Sequence, residues 1–234
     1  MDFSKQTAVV TGAAGNLGRA VVRAFANRGA NVVLADRRVD RLIDRYGPAN
    51  DRMLYVAGNL GETADAAGIA QRARERFGGI DVLCNVAGAF RVGEPVHETT
   101  DATWDLLFDA NVRSLRNMVR AVVPVMLDGG GGRIVNVGAY SARTGVASMG
   151  AYTAAKTVVL RLTEAMAAEL RAHNINVNCV LPATLDTPEN RAAMPDADPA
   201  QFVALADLAE AIVFLASPAA RAIHGAALPV TGLG

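Results

Sequence analysis

Tyr152 and Lys156 form the pair in this 234-residue sequence best suited to moving a proton. Residues i and i+4 share a helix face. A helix over Tyr152-Thr153-Ala154-Ala155-Lys156 therefore sets an ammonium beside a phenol. Composition makes the pair conspicuous, because Lys5 is the only other lysine and arginine supplies all the remaining basic residues. A free phenol titrates near pH ~10, and bringing it to about 7 takes roughly 4 kcal/mol. One cation at about 4 Å supplies that in an effective dielectric of about 20. A phenol tuned in this way can give or take a proton while hydride moves at a neighbouring cofactor.

A second constellation binds rather than reacts. Thr11-Gly12-Ala13-Ala14-Gly15-Asn16-Leu17-Gly18 follows an apolar run at 7–11 and precedes a stretch of helical periodicity. Glycines in a strand-to-helix turn let backbone N–H groups approach a pyrophosphate at the helix N-terminus. Asp36 closes the next apolar run, 18 positions after Gly18. An acid there accepts from the adenosine ribose and repels a 2′-phosphate, which favours NAD(H). Arg37 and Arg38 follow at once and keep NADP(H) open, since arginines pair with phosphate.

The elements that must position these groups alternate. Strands are expected at 7–11, 31–36, 52–58, 81–88, 132–138, 175–182 and 225–232. Helices are expected at 17–28, 39–46, 62–77, 103–127 (one or two, with Pro124 near the end), 150–173 and 207–216. Continuous apolar strands separated by helices predict an α/β fold, a doubly wound parallel sheet of about seven strands covered on both faces. The length fits a single domain over 1–234. Residues 183–206 show no clear periodicity and carry Pro188, Pro195 and Pro199. Placed after a strand end, they are expected to form a substrate lid. The helix over 150–173 is apolar on more than one side, with Leu160, Thr163 and Ala167 off the Tyr152 face, so a partner subunit is expected to cover part of it.

Composition excludes several classes. Hydrophobic residues make up 51%, charged residues 20%, and 23 basic residues balance 23 acidic ones. A disordered chain is excluded, and a generic binder of nucleic acid or of an anionic membrane is disfavoured. No apolar run reaches the roughly 20 residues of a membrane span. The N-terminus enters a strand at once, so no signal peptide is expected and the cytoplasm is the expected location. Cys84 and Cys179 sit in strand-like runs and are expected to be buried free thiols. His97, His173 and His224 lack metal-ligand spacing, and no metal is expected.

Together these features resemble the short-chain dehydrogenase/reductase family along essentially the whole chain. The residues concerned are the Gly-rich loop, Asn85-Val86-Ala87-Gly88, Asn111, Tyr152-x3-Lys156, and Pro182 leading to Thr187. The resemblance implies a single Rossmann-type domain, a small-molecule carbonyl or alcohol substrate, and a homo-oligomer, tetramer or dimer. It makes Tyr152 the proton donor. Lys156 becomes the ribose ligand that lowers the tyrosine pKa, and Asn111 the anchor of a relay water. Gly12, Gly15, Asn16, Leu17, Gly18, Asp36, Arg37, Asn59, Leu60, Asn85, Ala87, Gly88, Pro182, Leu185 and Thr187 join Tyr152 and Lys156 as cofactor-binding positions. Asn59 takes the place of the usual adenine-contacting aspartate.

The sequence departs from the family pattern in the loop, where Asn16 stands for a glycine, and at Val86, which stands for a second asparagine. More serious, the family's substrate-binding serine lies 13 residues before the tyrosine, at what is Ala139 here. Ser141 can replace it only if the chain bends after Ala139. Losing one oxyanion donor costs about 2.7–4 kcal/mol in the transition state. The segment from Leu181 to Asp198 is similar to that of quinonoid dihydropteridine reductases, which also lack the serine. Reduction of a quinonoid ring is therefore an alternative, and a catalytically weak dinucleotide-binding protein is another.

Overall fold

The structure is a computed structural model describing residues 1–233. Seven strands form one sheet: β1 (Thr7–Thr11), β2 (Asn31–Asp36), β3 (Met53–Ala57), β4 (Val82–Asn85), β5 (Gly132–Val137), β6 (Ile175–Pro182) and β7 (Ala227–Val230). Every adjacent pair is parallel, in the order β3-β2-β1-β4-β5-β6-β7. This is the Rossmann-like sheet expected. The chain winds outward from β1 to β3, then returns to set β4 on the other side of β1. That reversal opens a crevice at the carboxyl ends of β1 and β4, where such sheets bind ligands.

Alternation within the strands builds two apolar layers. Ala8, Val10, Val32 and Leu34 face the layer made by α1 (Asn16–Ala26), α2 (Val39–Tyr46) and α8 (Leu205–Leu215), with Val21, Phe25, Leu42, Leu208 and Ile212. Val9, Val33 and Leu83 face the opposite layer, made by α3 (Thr63–Phe77), α5 (Ser114–Asp128) and α6 (Gly150–Leu170), with Ile69, Met118, Val122 and Val159.

Several boundaries differ from expectation. The 103–127 region divides into α4 (Asp101–Phe108), a π-helical turn (Asp109–Arg113) and α5. The wide turn is one of the local distortions that cluster at functional sites. The long helix ends at Leu170 and tightens into a 3-10 turn over Arg171–His173. Leu160, Thr163 and Ala167 are already buried within their own chain, so covering them needs no partner subunit. Within 183–206, α7 (Pro188–Ala193) and a 3-10 turn (Pro199–Gln201) form. Thr187 caps α7 by accepting from the Asn190 N–H, and Pro188 opens it. That start signal is local and independent of apolar periodicity.

Cys84 and Cys179 are free and buried, as expected. Among the described residues no group of His, Cys, Asp and Glu could hold a metal ion. No helix among them is long and apolar enough to cross a membrane.

Candidate active site and cofactor cleft

The crevice is a cavity of about 610 Å3. Gly12, Gly15, Asn16, Leu17, Gly18, Asp36, Arg37, Asn59, Leu60, Ala87 and Gly88 all line it, as the sequence suggested. Thr11 braces the loop after β4 that lines it. Its hydroxyl donates to the Cys84 carbonyl at 3.3 Å and accepts from the N–H groups of Val86 and Ala87 at 2.9 and 3.0 Å. Two loops distant in sequence are thereby held together. Gly12 has φ +63°, and a Cβ there would lie 2.9 Å from Ala87 Cα. At Gly18 a Cβ would come within 2.2 Å of the Gly12 carbonyl oxygen. Both positions need glycine for close approach.

The wall chemistry fits a dinucleotide. Gly15 precedes α1 without a side-chain cap, which leaves first-turn N–H groups to receive an anion. Asp36 is 8% exposed. Its carboxylate accepts from Ala14 N–H at 3.1 Å and Arg37 N–H at 2.9 Å, and pairs with Arg41 at 3.4 Å. These contacts fix its orientation at the cavity edge. Arg38 turns away and pairs with Asp40 in the open. Arg41 and Arg113, both missed in the sequence, line the cavity as well. A helix starting at 39 carries the signal for Arg41, since its first turn doubles back on the strand end. Arg113 has no comparable local signal.

Asn111 and Lys156 lie just behind the cavity wall at Gly88, and Tyr152, like them, does not line the cavity itself. A Cβ on Gly88 would meet Asn111 Oδ1 at 2.6 Å and Lys156 Nζ at 3.4 Å. Gly88 therefore marks one point that touches the cavity, the asparagine and the lysine. The Asn111 amide is fully engaged, donating to the carbonyls of Ala89 (3.0 Å) and Leu107 (2.8 Å) and accepting from Ala89 N–H. It clamps the π-helical turn to the loop after β4. Lys156 is buried in α6 and donates to the Val137 carbonyl at 2.8 Å. Burial lowers its pKa to about 8.

Tyr152 lies one helical turn earlier, its ring edge-on to Phe90. Loss of water raises its pKa to about 12. This is the reverse of the acidification the i, i+4 pairing suggested. Lys156 directs one N–H to the Val137 carbonyl, and burial alone shifts the phenol.

Other expected positions fall elsewhere. Asn85 turns inward and does not line the cavity. Its amide donates to Asn136 Oδ1 at 2.9 Å, and Asn136 donates in turn to Thr163. The cause is strand alternation, which points residue 85 into the layer under α6. Pro182, Leu185 and Thr187 lie at and beyond the end of β6, outside the cavity wall. Leu185 pairs with Val203 in a lone bridge. The chain does bend after Ala139, into a 3-10 turn over Tyr140–Arg143 that carries Ser141. Ala139 itself is 5% exposed and part of the apolar layer.

Residues 6–198 match the sequence pattern of the family described as short chain dehydrogenase. The chain belongs to the short-chain dehydrogenase family. A cis-4-hydroxycyclohexanecarboxylate dehydrogenase of Sinomonas cyclohexanicum is 35% identical to it, covering 98% of this chain and 96% of its own. A galactitol 2-dehydrogenase of Agrobacterium fabrum is 31% identical, covering 80% and 73%. Among solved structures, the 3-ketoacyl-(acyl-carrier-protein) reductase of Brucella melitensis complexed with NADH superposes with a TM-score of 0.87 at 30% identity, covering 96% of each chain. This short-chain dehydrogenase is an oxidoreductase that moves hydride between a nicotinamide dinucleotide and a small substrate.

Proposed function

We propose that this short-chain dehydrogenase interconverts a small secondary alcohol and its ketone, with Tyr152 as the proton donor and acceptor. The meeting of Asn111 and Lys156 at Gly88, on the cavity wall, carries this reading. The bound dinucleotide supplies the hydride acceptor or donor. Gly12, Gly15, Asn16, Leu17 and Gly18 receive its pyrophosphate at the start of α1. Asn59, Leu60, Ala87 and Gly88 flank its adenosine half, and Asp36 holds the ribose. Asp36 and its two backbone donors support NAD(H) over NADP(H). Lys156 binds the second ribose and offers its charge to the phenol. Asn111 holds the π-helical turn on which a relay water is anchored. Pro182, Leu185 and Thr187 border the nicotinamide end, and residues 183–206 act as the substrate lid.

The relatives named for hydroxycyclohexanecarboxylate and for galactitol both act on alcohols, which supports a secondary alcohol here. The buried methyl of Ala139 favours a second reading, reduction of a quinonoid ring that never forms a localised alkoxide. Ser141, brought round by the 3-10 turn, is the candidate oxyanion donor for the first reading. The working unit is a homo-oligomer in the cytoplasm. Trp104, Leu106 and Leu127, exposed on α4 and α5, support an interface there.

Tyr152→Phe tests the assignment. NADH binding should persist, and turnover of alcohol and ketone substrates should fall by at least about a hundredfold. Unchanged turnover removes Tyr152 from the chemistry. Turnover of a quinonoid dihydropterin with none on alcohols or ketones selects the second reading.

A further inference from the structure

The loop after β4 leaves an aromatic ring in the open beside the phenol. Phe90 meets the Tyr152 ring edge-on, with centroids 4.9 Å apart and planes at 89°, yet it remains 61% exposed. Scattered exposed apolar residues need no explanation, but this one is fixed in place. The Gly93 N–H donates to the Ser148 carbonyl at 2.8 Å. Val96 Cγ2 sits 2.5 Å from where a Gly150 Cβ would be. Arg91, Val92 and Glu94 share a small pocket with Ser148, Met149, Gly150 and Ala151. The loop is thus pinned to the first turn of α6, the turn that carries Tyr152. Val92 and Val96 of the same loop are exposed too. After β5, Ala139 carries no hydroxyl and packs in the apolar layer.

We propose that Phe90 is a specificity-determining wall of the substrate site and selects an apolar ring, an alicyclic or aromatic secondary alcohol or its ketone. The proposal rests on Tyr152 being the proton-transfer group. A ring seated against Phe90 removes apolar surface from water on both partners. A short polyol placed there buries hydroxyls against carbon with nothing to bond. With Ala139 giving no hydrogen bond, apolar contact supplies the positioning that a serine would.

The test uses the full-length protein and Phe90→Ala, with cyclohexanol and 2,3-butanediol as substrates and NAD+ as oxidant. The wild type should prefer cyclohexanol. Phe90→Ala should lose about tenfold in kcat/KM on cyclohexanol, mainly through KM, and less than about twofold on the diol. Phe90→Leu should recover part of the loss. Calorimetric titration of cyclohexanone into the protein–NAD+ complex, in which no hydride can move, gives a readout free of turnover. Affinity should fall about tenfold in Phe90→Ala. Equal losses on both substrates, or no cyclohexanone affinity in the wild type, overturn the proposal. Failure of the proton assignment appears separately, as Tyr152→Phe that still turns over while cyclohexanone affinity keeps its dependence on Phe90.

Discussion

The amide of Asn16 donates to Glu189 Oε2 at 2.8 Å, joining residues 173 positions apart. Asn16 opens α1 beside the cavity, and Glu189 lies in the first turn of α7. The carboxyl titrates below its ordinary value because its own backbone N–H, the Thr187 hydroxyl and the Asn16 amide all favour the anion. A negative charge therefore stands at the start of α1, where the proposed function seats the pyrophosphate. Glu189→Gln should bind NADH about threefold tighter at low ionic strength, an exposed-charge effect. The gain should vanish in about 1 M salt, where the screening length is about 3 Å. Fluorescence titration of NADH at the two salt concentrations measures both.

In the proposed function Asp36 selects between the two cofactors. Its replacement by alanine frees the N–H groups of Ala14 and Arg37 and releases the Arg41 guanidinium. Asp36→Ala should raise affinity for NADPH by roughly tenfold or more and weaken that for NADH, since a carboxylate no longer opposes the 2′-phosphate. Adding Arg41→Ala should reverse the NADPH gain. Equilibrium binding of both dinucleotides to the three proteins decides it.

Gly88→Ala should injure the reaction more than the fold. The added methyl would lie 2.6 Å from Asn111 Oδ1, so the amide must leave Ala89. Displacing such a group by about 1 Å can cost roughly a hundredfold in rate. Steady-state kinetics should show that loss while circular dichroism keeps the α/β signature.

Lys156 should make stability rise with alkaline pH. Its folded pKa, lowered to about 8, lies below the ordinary lysine value of 10.5. Between those values the unfolded chain binds more protons than the native one, so stability increases as pH rises. Tyr152 acts in the opposite sense. Its pKa is raised from 10.0 to about 12, so its stabilisation is complete below pH 10 and lost above. Denaturant unfolding of the wild type and Lys156→Met should show the wild type gaining on the variant from pH 8 to pH 10.5. Parallel curves would mean that the lysine titrates normally.

Much of this site is written in short-range spacing. Tyr152 and Lys156 share a face because an α-helix turns every ~3.6 residues, and the glycines of residues 12–18 announce their turn wherever the strand is placed. The alternation of apolar runs was enough to give seven parallel strands. Residues 188–193 were legible too, through the Thr187-Pro188 start, but only to a reading that looks for caps.

Other features depend on packing across the chain. Which side of β1 receives β4 decides that Ala87 faces Gly12 and that Asn85 turns inside toward Asn136. The pairing of Asn16 with Glu189 and of Arg41 with Asp36 follows from the same placement. So does the protonation of the phenol. Sequence alone set an ammonium beside it and argued for acidity, whereas burial raises its pKa. Local geometry is set by neighbours a few residues away, so it can be read from one strand or helix. Desolvation and strand order are set by residues far along the chain, and only the assembled layers fix them.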